Sequence, residues 1–146
     1  MSDLTRRAVR LLARREHTRA ELARKLAPHG AEDEIETVLD ELARTGLQSD
    51  ARCAESLVRS QAGRLGAARL RQALRQKGVA AELIDAQLTA LSNQLPDEPA
   101  RARAVWSKKF AAPPADAREW AQQARFLQGR GFSAETIRAV LKDSDA

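Results

Sequence analysis

The chain has 146 residues, 25 Lys and Arg against 20 Asp and Glu, a formal net charge of +5 and a pI near 10.1. No apolar run approaches the roughly 18 residues of a membrane span, and Met1-Ser2-Asp3-Leu4 leads straight into a charged helical pattern without a signal peptide's apolar region. With one cysteine, Cys53, and two isolated histidines, His17 and His29, neither an internal disulfide nor a zinc site is available, and the expectation is a soluble cytoplasmic protein with a negatively charged partner and no cofactor.

Tyr is absent, β-branched residues are sparse, and Ala, Leu, Arg, Glu and Gln dominate, so the fold class is all-α. Leu4, Ala8, Leu11 and Leu12 give a first helix. A second carries Leu22 and Leu26 after a Thr18-x-x-Glu21 capping box and stops at Pro28 and Gly30. Ile35, Val38, Leu39 and Leu42 stripe a third, which ends at Gly46. Ser49 or Asp50 caps a fourth, with Cys53, Ala54, Leu57 and Val58 inward.

Gly63 and Gly66 precede a fifth helix with Leu70, Ala73 and Leu74, and Gly78 separates it from a sixth with Leu83, Ile84, Leu88 and Leu91. A linker is expected over Ser92–Pro99. Pro99 then falls in the first turn of a seventh helix burying Ala102, Val105 and Trp106. A second linker, Ala111–Pro114, leads to an eighth with Trp120, Ala124 and Leu127, and Gly129 to Gly131 turns into a ninth capped by Ser133. Helices this short need neighbours to be stable.

Ala73-Leu74-Arg75-Gln76-Lys77-Gly78-Val79-Ala80-Ala81-Glu82-Leu83-Ile84 realigns with Phe126-Leu127-Gln128-Gly129-Arg130-Gly131-Phe132-Ser133-Ala134-Glu135-Thr136-Ile137. Leu22 and Leu26 match Leu70 and Leu74 in the same frame. Three copies of a helical unit follow one another, over 4–47, 49–91 and 97–143, as an elongated, curved array.

The charge is segregated. Between Leu57 and Ala81 lie Arg59, Arg64, Arg69, Arg71, Arg75 and Lys77 with no Asp or Glu, a surface for phosphates or an acidic protein, or else a solvated helix face. Arg71 and Arg75 at i, i+4 share a face, and Lys77 also suits the helix dipole. Arg101, Arg103, Lys108 and Lys109 form a second positive zone, whereas Arg125 and Arg130 read as ordinary surface residues. Glu32, Asp33, Glu34, Glu36, Asp40 and Glu41 crowd the third helix, as stabilising first-turn acids or as a partner contact. The aromatics, all in the last third, read as core, with none near the basic block in sequence. No nucleophile, phosphate loop or paired acid–base constellation is present, so catalysis is not expected.

Thr18-Arg19-Ala20-Glu21-Leu22-Ala23-Arg24-Lys25-Leu26, Val38-Leu39-Asp40-Glu41-Leu42, Gly46-Leu47-Gln48-Ser49-Asp50-Ala51-Arg52 and Leu70-Arg71-Gln72-Ala73-Leu74-Arg75-Gln76-Lys77-Gly78-Val79 resemble the bacterial RecX regulatory proteins. The likeness runs from about Leu11 to Leu141. It implies three tandem three-helix units, a cytoplasmic monomer, and binding to the RecA recombinase filament on DNA. It further implies restraint of that recombinase's ATPase, strand-exchange and coprotease activities in DNA repair and the SOS response, weak binding to single- and double-stranded DNA, and no catalysis. A stand-alone helical DNA-binding protein is the alternative. Cys53 stands where that family usually has Phe, which implies a looser or differently filled middle unit, and Pro28-His29-Gly30 replaces its basic-glycine turn.

Overall fold

The computed structural model describes residues 1–94 and 96–143. Nine α-helices occur among them: α1 Asp3–Arg14, α2 Arg19–Leu26, α3 Glu32–Arg44, α4 Asp50–Gln61, α5 Ala67–Gln76, α6 Ala81–Gln94, α7 Glu98–Lys109, α8 Ala117–Gly129 and α9 Ala134–Asp143. Short polar side chains start most of them. Ser2, Thr18, Ser49, Asp97, Asp116 and Ser133 each accept a first-turn N–H, and the Glu21 carboxylate completes the Thr18 box by accepting the Thr18 N–H. Glycines in the left-handed region follow α3, α5 and α8, at Gly46, Gly78 and Gly131.

The linker expected over Ser92–Pro99 is shorter than the sequence suggests. Ser92 and Asn93 continue α6 past the buried Leu91, and Glu98 and Pro99 already belong to α7; Leu95 lies outside the described residues.

Helices pack within triplets. In the first, Leu4, Ala8, Leu22, Leu26, Ile35, Leu39 and Leu42 form one core. Ala54, Val58, Ala62, Leu70, Leu74, Val79, Ile84 and Leu91 form the second, and Ala102, Val105, Leu127, Phe132, Ile137, Val140 and Leu141 the third. The repeat therefore fills equivalent core positions, with Leu22, Leu70, Leu74 and Leu127 all fully buried. Three small cores leave much surface in water: the accessible area is 9034 Å², against about 7,400 Å² for a compact monomer of this mass.

The triplets join by one repeated contact, in which the start of a middle helix lies on the glycine turn of the following unit. At the first junction the Thr18 hydroxyl donates to the Lys77 carbonyl at 2.6 Å, and a Cβ on Gly78 would come within 2.4 Å of Ala20. The Arg19 N–H donates to Asp50, Gln48 reaches the His17 carbonyl, and Arg52 pairs with Glu16. At the second, α5 begins at Gly66 without a side-chain cap, and the neighbour satisfies its N–H groups. The Gly66 N–H donates to the Arg130 carbonyl at 2.8 Å, Ala67 to the Glu98 carboxylate at 2.8 Å, and Ala68 to the Gly131 carbonyl at 3.3 Å. A Cβ on Gly66 would stand 2.4 Å from the Gly131 oxygen, so only glycine permits this approach.

One expectation about inward side chains needs correcting. Trp120 is 41% exposed in the first turn of α8, a turn ahead of Gln123 and Leu127, where the buried part of that face begins. Cys53 is buried but sits apart from the second core, its sulfur 4.0 Å from Glu16, beside a cleft of about 270 Å³ at the first junction. Burial pushes its thiol up to about 11, which makes it a poor nucleophile.

Burial alone would raise the Glu21 carboxyl, but the Thr18 N–H, the Arg15 guanidinium and the Lys77 charge outweigh it and hold it at about 2. Its folded value lies below the unfolded one, so its stabilisation is complete above about pH 4.5 and is lost as pH falls toward 2. Glu21→Gln is expected to cost on the order of 3 kcal/mol at pH 7 and to converge on wild type in acid, read by denaturant unfolding across pH. Leu74→Ala, truncating a fully buried side chain, is expected to cost about 2–5 kcal/mol and to lower the melting midpoint. Solution scattering should give a radius of gyration clearly above the ~15 Å of a compact chain of this length; a value at ~15 Å would contradict the array.

Candidate functional site: a basic cleft at the second junction

The acid-free block is not one exposed surface. Its charges are answered by acids outside it: Arg71 pairs with Asp85 of α6 at 2.7 Å, Arg59 with Glu55, and Lys77 with Glu21 at 3.6 Å. Arg71 and Arg75 therefore do not project together as free cations. Arg75 alone of these two makes no ion pair among the described residues. Arg69 lays its stem against Gly131 and donates to the Gly129 carbonyl at 3.2 Å, spending its charge on the C-terminal end of α8.

Arg101 leaves the candidate set. It is buried, 8% exposed, and its guanidinium donates to the carbonyls of Ala62 at 3.0 Å and Pro96 at 3.2 Å, tying α7 to the end of α4. Burial lowers its pKa, partly offset by Glu98 and Asp97. Its role is to close the junction.

Arg64, Lys108 and Lys109, far apart in sequence, are brought together. With Arg130, Gly63, Val105 and Phe126 they line an open cleft of about 260 Å³ between the second and third units. Arg64 stands in the turn after α4, held by Gln61 at 3.0 Å. Lys108 and Lys109 end α7, where Phe110 turns extended and the Ala111–Pro114 linker follows, and Arg130 ends α8. Cations in final turns complement the helix dipole, which explains their stability there without explaining their convergence. Among the described residues no acidic side chain lines the cleft.

Phe126 forms its aromatic wall. The Phe110 ring meets it edge-on at 5.4 Å and 87°, while the Lys109 ammonium and the Arg130 guanidinium lie over it at 5.8 and 5.0 Å. Cations with no acid between them, beside an aromatic surface, suit phosphate groups and the bases attached to them. Sequence reasoning assigned Phe126 to the core, against which it packs half-buried, and Arg130 to the general surface. The repeat carried the missing signal: Arg130 occupies the glycine turn that docks on Gly66, two residues from Arg64.

The acids of α3 are partly engaged, Asp40 with Arg19, Glu41 with Arg44, and Glu34 with the Ala31 N–H. Among the described residues no His, Cys, Asp and Glu group is arranged to hold a metal, and no helix is long and apolar enough to cross a membrane.

The chain matches the three RecX three-helix domains in order, the first over residues 6–42, the second over 49–88 and the third over 97–141. It is 50% identical over 144 residues to the regulatory protein RecX of Leptothrix cholodnii, covering 98% of this chain and 90% of that one. The Neisseria meningitidis serogroup A protein of the same name is 46% identical, with 96% and 90% covered. The crystal structure of RecX from Lactobacillus salivarius superposes with a TM-score of 0.82 over 97% of this chain and 94% of that one, at 21% identity, a likeness of fold. Continuous similarity across three ordered domains and nearly the full length of its relatives places this chain in the RecX family of regulatory proteins.

Proposed function

We propose that the chain restrains the RecA recombinase by lying along its filament on DNA, limiting ATP hydrolysis, strand exchange and coprotease activity, and so tempering DNA repair and the SOS response. Membership of a regulatory family supports this reading, and the basic cleft is the observation that carries it. In this reading Arg64, Lys108, Lys109 and Arg130 meet phosphates, Arg75 extends the contact, and the array reaches more than one filament subunit. So few free cations give weak binding to bare single- or double-stranded DNA, because each neutralised phosphate contributes one increment of counterion release. The protein acts in the cytoplasm as a monomer and as a stoichiometric binder without catalysis.

ATP hydrolysis by the cognate recombinase on single-stranded DNA should fall when this protein is added. Lys108→Glu with Arg130→Glu should raise the concentration needed for half-inhibition roughly tenfold at moderate salt, equivalent to about 1.4 kcal/mol. Full inhibition by that variant would remove the cleft from the contact. A wild-type protein that retains bare DNA as well as filament-coated DNA would instead be a stand-alone DNA binder.

A further inference from the structure

A second basic cleft lies in the first unit, remote from the junction cleft. Arg7, Arg10 and Arg14 follow one another at i, i+3 and i+7 and so share one face of α1. Opposite them stand Lys25 of α2 and His29, with Leu11 and Leu26 as the floor, enclosing about 200 Å³. Among the described residues no acidic side chain lines it. Arg7 pairs with Asp3 at 3.2 Å, whereas Arg10 and Arg14 make no ion pair among the described residues.

Lys25 is fixed from behind. His17 is 1% exposed, and its Nδ1 lies 3.0 Å from the Arg15 carbonyl. A carbonyl only accepts, so Nδ1 carries the proton and Nε2 accepts from the Lys25 ammonium at 3.1 Å. Burial lowers the His17 pKa, and the Arg15 and Lys25 charges act in the same direction against the Arg15 carbonyl bond. The imidazole stays neutral and orients a lysine whose other N–H groups remain available.

We propose that this cleft is a second phosphate-binding site, taking consecutive phosphodiesters of a nucleic-acid strand. Arg7 and Arg14 are separated by about 10.5 Å of helix axis, which one phosphate ion cannot span. Successive phosphates of one strand can meet successive arginines along that length. The apolar floor offers nothing to base edges, so the site reads charge and not sequence. One chain then contacts nucleic acid through its first unit and again where its second and third units meet. The first-unit site stands on its own cations, while the second contact rests on the reading of the junction cleft given above.

The test is binding of the full chain to a fluorescein-labelled, mixed-sequence single-stranded oligonucleotide, followed by anisotropy between about 50 and 200 mM NaCl without recombinase. Arg10→Gln with Arg14→Gln should lower the log–log salt slope by about 1.4, two phosphates at ~0.7 each. The same pair replaced by Lys should keep the wild-type slope. Adding Lys108→Gln and Arg130→Gln to the first pair should lower the slope further by a similar amount. Both arginines are exposed, so circular dichroism should show unchanged helicity. A wild-type slope in Arg10→Gln with Arg14→Gln would overturn the proposal. So would displacement of the oligonucleotide by sub-millimolar ATP or inorganic phosphate from wild type but not from that variant, since the site would then hold free phosphates.

Discussion

The architecture depends on a helix start that cannot satisfy itself. The first N–H groups of any helix lack intrahelical partners, and at Gly66 no side chain supplies one. The Arg130 and Gly131 carbonyls and the Glu98 carboxylate supply them from the next unit, at a backbone separation that only glycine allows. The first junction follows the same plan with Thr18, Ala20 and Gly78, although Thr18 also caps its own helix. Each core is small, so these shared contacts let neighbouring units borrow stability, as in other tandem arrays. Two elements depart from the plan. α8 begins with its own Asp116 cap, and the turn after α2 is a 3₁₀ segment leading to Gly30, with extended backbone in place of the left-handed glycine found at Gly78 and Gly131.

The junctions also sort the positive charges. Cations at the seams are consumed: Arg101 closes on the Ala62 and Pro96 carbonyls, Arg69 on Gly129, Arg52 on Glu16 and Lys77 on Glu21. Those just outside the second seam converge around Phe126, with no acid among the described residues that line the cleft. Fixing Gly66 against the turn of Arg130 sets the distance between the Arg64 turn and the end of α8. Geometry made for stability thus assembles a surface suited to phosphate.

The helices were legible in the sequence because their signals are local. The Thr18–Glu21 box, the positive-φ glycines and the apolar spacing of Leu70, Leu74 and Leu127 need only near neighbours to act. The repeat was legible for the same reason. The site was legible only in part. Arg64, Lys108 and Lys109 were recognisable as cations, but Arg71 meets Asp85 through a packing of α5 on α6 that residue spacing does not reveal. Arg101 looked like its neighbours on α7 until the carbonyls from another unit closed on it. Phe126 and Arg130 were passed over because their importance comes from the turn between them and the helix it docks on. Cys53 matches its sequence reading more closely, being a small buried residue.

Amide hydrogen exchange of the full chain at the start of α5 tests the docking most directly. First-turn amides are ordinarily unbonded within a helix and open easily. The Gly66 and Ala68 amides should be protected to the level of the core amides of the third unit, well beyond those of Ala117 and Arg118 in the first turn of α8, which starts on its own Asp116 cap. Exchange of Gly66 and Ala68 as fast as Ala117 and Arg118 would mean that the units hang on flexible seams and that no junction holds the cleft together.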